Sequence, residues 1–134
     1  MGHVFVEIGL SNPRGPNLEP IIVKALADTG ALMLCIPEHG AKQLKLDTES
    51  IREVSVADDR KMNVPYVGPI RVSFGNRFCY VGALMLGNEV LLGALPMEDM
   101  DLIISPSRRE VTVVPASPNI PHARVKLLVT PQAL

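Results

Sequence analysis

One carboxylate at the end of an apolar run is the place in this sequence where residue types and spacing suggest chemistry. Val23-Lys24-Ala25-Leu26-Ala27 leads straight into Asp28-Thr29-Gly30, and Ala31-Leu32-Met33 follows. A lone carboxylate among Ala, Leu and Met is costly to bury unless it is paired, hydrogen-bonded or protonated. Asp28 therefore either caps a turn or acts as an acid or base. The turn alternative is an ordinary one, because Asp and Thr side chains bond nearby backbone amides and Gly supplies backbone freedom.

The rest of the chain offers few competing chemistries. The two cysteines, Cys35 and Cys79, are far apart and lie outside any CxxC, so two buried free thiols are expected. The three histidines (His3, His39 and His122) are scattered without metal-ligand spacing, so no metal site and no cofactor are expected. A net charge of −1 and the absence of Trp argue against a nucleic-acid surface. Charge-free stretches are too short to cross a bilayer, so no membrane insertion is expected. The first residues lack the basic and apolar regions of a secretory leader, which leads to a cytoplasmic expectation.

The elements that must position Asp28 read as strands. Val4 to Leu10 alternates, and Ile21 to Ala27 follows a loop at Ser11 to Asn17, giving a long hairpin that ends at Asp28. Leu32 to Ile36 reads as a short buried strand. Pro37 opens a helix running to about Lys45, with Glu38 in its first turn and Ala41 and Leu44 facing the core. Ile51 to Val56 and Met62 to Val67 form a hairpin with the charged tip Ala57-Asp58-Asp59-Arg60-Lys61, either a solvated turn or a flap over a cleft.

Ile70 to Phe74 and Arg77 to Leu84 pair across the turn Gly75-Asn76. Glu89 to Pro96 contains an apolar strand ending in Leu91-Leu92-Gly93, followed by a short helix from near Pro96 through Asp99. Leu102 to Ser105 and Val111 to Val114 make a last hairpin. At 134 residues the length fits one domain, placed at 1–114. Beyond it, 115–134 reads as an extended, proline-rich extension carrying an orphan apolar stretch, Val125 to Val129.

In this order the elements resemble the retropepsin-like aspartic proteases, and most closely the small bacterial single-domain members. The match rests on Asp28-Thr29-Gly30-Ala31 after an apolar strand, the charged hairpin that follows, and Leu91-Leu92-Gly93 ahead of a short helix. The resemblance implies an all-β, closed β-barrel half-fold with one or two short helices. It also implies an aspartic endopeptidase in which Asp28 is catalytic. Thr29 would then brace its counterpart in a second subunit, and Gly30 would let the substrate backbone approach. Ala31, Leu91, Leu92 and Gly93 would support the signature loop. Leu32, Met33, Ala57, Asp58, Asp59, Arg60 and Lys61 would contact substrate or form the flap.

Hydrolysis by this route needs two carboxylates sharing one proton across a water molecule. The chain has a single Asp-Thr-Gly, so the second carboxylate must come from another copy and the enzyme must be a homodimer acting on a peptide or protein. Two departures stand out. Viral members carry an acidic residue after the Ala and an Arg after the second glycine, where this chain has Leu32 and Ala94. Dimerisation would then rest on other contacts, for which the N-terminal strand and Val125 to Val129 are the candidates. The rival from another class is a dimer of the same fold that binds peptides without cutting them.

Overall fold

The computed structural model describes residues 3–125. Its first hairpin sets the frame. β1 (Val4–Ser11) and β2 (Ile21–Ala27) pair antiparallel, with Val4 opposite Ala27 and Leu10 opposite Ile21. Inward residues Val4, Val6, Ile8 and Leu10 alternate with exposed ones until the strand enters the core, where Gly9 is buried as well. β3 (Leu34–Ile36) starts two residues later than its apolar composition suggests, because the backbone at Ala31 and Leu32 is committed to bonds elsewhere.

Helix α1 (Glu38–Gln43) begins after Pro37, whose carbonyl accepts from the Gly40 and Ala41 amides, and Lys42 reaches Glu38 at 3.3 Å. It ends short of the expected Lys45, which has left-handed backbone (φ 52°). Ala41 and Leu44 are buried, as the pattern predicts.

β4 (Asp47–Ser55) and β5 (Lys61–Phe74) form the long hairpin. The stretches expected as two strands, Met62 to Val67 and Ile70 to Phe74, are one 14-residue strand. The interruption at Gly68-Pro69 is absorbed as a register shift against β6 (Arg77–Met85) instead of a break. β7 is only Leu91–Leu92, and helix α2 (Ala94–Asp99) starts at Ala94, two residues before the expected Pro96. Proline in the first helical turn carries no penalty, since the amide it lacks would have no partner within the helix. β8 (Leu102–Ser105) and β9 (Glu110–Val113) form the closing hairpin.

The strand order β1-β2-β7-β3-β6-β5, closed by β5 pairing back onto β1, makes a six-stranded barrel with β4 attached outside it. Its interior is aliphatic, with Ile8, Leu10, Leu34, Ile36, Ile70, Val72 and Leu92 at 1% exposure or less. Both thiols are free; Cys79 is buried and Cys35 half-buried.

The segment from Pro115 folds back on the barrel instead of running on as an extended linker. The wholly buried Arg77 guanidinium gathers it in: Nη1 donates to the Met100 and Asp101 carbonyls (2.9 and 3.5 Å), and Nη2 donates to the Ser117 carbonyl. The Asp101 carboxylate accepts from the Ser117 hydroxyl and from the His122 amide (2.8 Å). These hydrogen bonds hold its carboxyl below the ordinary value, with Arg77 adding a smaller electrostatic pull. Asn76 Nδ2 also donates to the Asn119 carbonyl at 3.2 Å. Of the expected strand Val125 to Val129, all but Val125 lies outside the described residues.

Candidate active site

Asp28 sits where a ladder ends. β2 runs parallel to β7, with Leu26 opposite Leu91 and Ala27 opposite Leu92. The Asp28 amide adds one more rung by donating to the Leu92 carbonyl at 3.0 Å. The chain then turns at once: the Ala31 amide donates to the Asp28 carbonyl (3.1 Å), and the Gly30 amide donates to Asp28 Oδ1 (2.8 Å). The turn-capping role is therefore real, and it engages one carboxylate oxygen. Asp28 is half-buried and faces a cavity, while Thr29 and Gly30 are exposed beside it.

The signature loop is held from behind by the start of α2. The Ala94 and Leu95 amides, which no helical carbonyl can satisfy, donate to the Ala31 and Leu32 carbonyls at 2.8 Å each. This contact needs Gly93. A Cβ there would stand 2.8 Å from the Ala31 oxygen and collide with the Met33 oxygen, both backbone atoms that cannot swing aside. Leu92 is fully buried beneath the loop. Of the residues expected to support Asp28, Ala31 and Leu92 bond it through the main chain, Leu91 pairs with Leu26 on β2, and Gly93 packs against the loop's backbone.

The charged hairpin closes the other side. Its tip is a tight turn in which the Val56 amide donates to Arg60 and the Asp59 amide to Val56, both 2.9 Å, with Asp59 in left-handed backbone (φ 61°). Asp58 and Arg60 pair across the tip at 2.9 Å, and hydrogen bonds from Arg60 lower the Asp58 carboxyl from its ordinary value. Both side chains are exposed, so this pair orders the tip more than it stabilises the fold.

Between loop and hairpin lies a cavity of about 690 Å³. It brings together Asp28, Gly30, Ala31, Leu32, Met33, Leu91 and Ala57 from the expected set. Asp58, Asp59, Arg60 and Lys61 stand on the tip and do not line it, and Leu92 and Gly93 pack behind the loop. Thr29 faces a separate cleft of about 590 Å³ with Ala94, Met97, Glu98 and Leu102 to Ile104.

Sequence reasoning missed six lining residues: Cys35, Val54, Ser55, Val56, Leu84 and Leu86. Alternation along Val54-Ser55-Val56 carried a signal for the hairpin's underside. Leu84 and Leu86 lie at a strand end where alternation gives no face. Burial raises the Cys35 thiol above its usual value, which favours its uncharged form in the cavity wall.

Among solved structures, the chain is similar to a retropepsin-like aspartic protease from Rickettsia conorii, at 20% identity and TM-score 0.53. That match covers 78% of this chain and 77% of the other. It is also similar to the retroviral protease-like domain of Ddi1 from Leishmania major, at 13% identity and TM-score 0.52, covering 82% and 88%. The fold is retropepsin-like. No family model and no curated protein matches the sequence. At these identities the likeness establishes the retropepsin-like architecture alone, and the chemistry must be argued from Asp28 and its surroundings.

Proposed function

We propose that this protein is an aspartic endopeptidase working as a homodimer, with one Asp28 from each subunit activating a water against a peptide bond. The observation that carries the proposal is the setting of Asp28. It ends a strand ladder, with one oxygen held by the Gly30 amide, in an apolar cavity roofed by a hairpin. A single carboxylate cannot both take a proton from water and donate one to the forming oxyanion. Two carboxylates about 3 Å apart can, because their repulsion leaves one protonated.

Exposed Thr29 and Leu32, the latter 62% exposed, flank Asp28 and are available to a second copy. The lining contributes only Asp28 and Ser55 as polar side chains, which supports substrates with apolar residues beside the scissile bond. Among the described residues no helix is long and apolar enough to cross a membrane.

The rival reading is a peptide-binding dimer that does not cut. The Asp28 Oδ1 bond to Gly30 favours it, since that bond alone would justify the carboxylate as a turn cap. The two are separated by incubating a mixed peptide library with wild type and Asp28→Asn across several pH values. Cleavage by wild type alone supports the peptidase. A dimeric wild type that cuts nothing at any pH favours the binding module, and equal cutting by both proteins points to a contaminant.

A further inference from the structure

A second groove of about 410 Å³ lies outside the active-site cavity, between β6 and α2, walled by Met33, Tyr66, Pro69, Tyr80, Leu95 and Pro96. Met33 belongs to both hollows, so the groove opens next to the active-site cleft. Its shape is built in. Gly82 leaves room for the Tyr66 ring, which any Cβ there would displace. Tyr80 is 56% exposed, and Phe78 continues the aromatic strip at 5.7 Å, edge-on.

Two guanidinium groups rest on this strip, Arg52 at 4.0 Å over Tyr66 and Arg71 at 4.3 Å over Phe78. Arg71 also lies directly across the ladder from Tyr80. Among the described residues neither Arg52 nor Arg71 has an ion-pair partner. No Asp or Glu occurs between Arg60 and Glu89, the stretch that forms β5 and β6. Asp99, four residues past Leu95 on α2, does not line the groove.

Three features narrow the occupant. β6 pairs with β5 along most of its length and with β3 only over Ala83–Met85, and the groove wall beside Tyr80 is made of aromatic, proline and leucine side chains that would hold a guest. Spaced tyrosine rings with proline walls suit a polyproline-II segment, whose pyrrolidine rings stack on aromatic faces and whose free carbonyls accept from phenol hydroxyls. Two unpaired cations select a guest with carboxylates. The chain's own end fits poorly, because residues 122–134 contain His122, Arg124 and Lys126 and no acid.

We propose that this groove docks an acidic, proline-bearing extended segment of the polypeptide substrate, outside the residues placed at Asp28. Only the word substrate rests on the peptidase reading. The groove itself stands independently of it.

The test is fluorescence anisotropy with a labelled synthetic peptide of repeating Glu-Pro-Leu, and a Lys-Pro-Leu counterpart. The expected result is saturable binding of the acidic peptide to wild type and to Asp28→Asn alike. Arg71→Glu and Tyr80→Ala should each weaken it roughly tenfold, and the basic peptide should not compete. A double charge reversal, Arg52→Glu with Arg71→Glu, should instead bind the basic peptide, which also shows that the variant is folded. Equal binding of both peptides, indifference to both single substitutions, or no saturable binding overturns the proposal. Groove binding by this pattern from a wild type that cleaves no peptide keeps the docking site and removes the peptidase reading instead.

Discussion

At the scale of the residue, the turn engages one carboxylate oxygen of Asp28. Oδ1 closes the turn on the Gly30 amide, which leaves the group's remaining capacity facing the cavity. Asp28→Asn keeps the turn acceptor but removes the ionisable group, so it should lower cleavage by roughly 10²–10⁴-fold while the denaturation midpoint stays near that of wild type. Activity should lie in the acidic to near-neutral range and fall as both carboxylates ionise. A rate still rising above about pH 8 contradicts a shared proton. The turn at Asp28 was legible, because Asp-Thr-Gly after an apolar run is a local pattern. The Cys35, Val54 and Leu86 walls were not, since they come from β3, β4 and the residue just past β6 and meet only in the folded barrel.

At the scale of the element, the signature loop and α2 are one unit, joined by the two amides at the helix start and by the absence of a side chain at Gly93. Gly93→Ala should destabilise the fold by about 1–3 kcal/mol or more, because the atoms it meets are main-chain oxygens. Urea denaturation measures this, and an unchanged midpoint would mean that the loop moves aside freely. Leu91-Leu92-Gly93 could be picked out in the sequence, but the early start of α2 could not. Pro96 looks like a helix opener, yet Gly93 is the cap, and that follows from a contact with residues far upstream. The single long β5 was hidden for a similar reason: Gly68-Pro69 reads as a break locally, and pairing with β4 and β6 on both sides carries the strand through it.

At the scale of the molecule, Arg77 and Asp101 tie the segment after β9 to the barrel floor, turning an apparent linker into part of the fold. Replacing the buried guanidinium by Arg77→Met leaves several carbonyls without donors and should cost about 3 kcal/mol, read by thermal denaturation.

Asp101 adds a pH dependence. Its carboxyl is depressed in the folded state, so its contribution is present above the ordinary value of 3.8 and is lost as pH falls through the lower folded value. Asp101→Asn should flatten the acid side of the stability profile below about pH 4, and a profile identical to wild type would remove Asp101 from the account. Neither partner could be found from composition, because Arg77 looks like an ordinary residue after a Gly-Asn turn and its acceptors are backbone atoms.

The proposed mechanism requires that two copies each supply one Asp28 to a shared site. It is tested most directly by mixing wild type with Asp28→Asn in varied proportion, co-refolding so that subunits exchange at random, and measuring peptidase activity at constant total protein. If both carboxylates are required, activity follows the square of the wild-type fraction, so an equal mixture retains about a quarter of the wild-type rate. About three-quarters of the rate at equal mixture would show that one Asp28 per dimer suffices, and about half would show that each subunit works with its own Asp28; either result would contradict paired carboxylates.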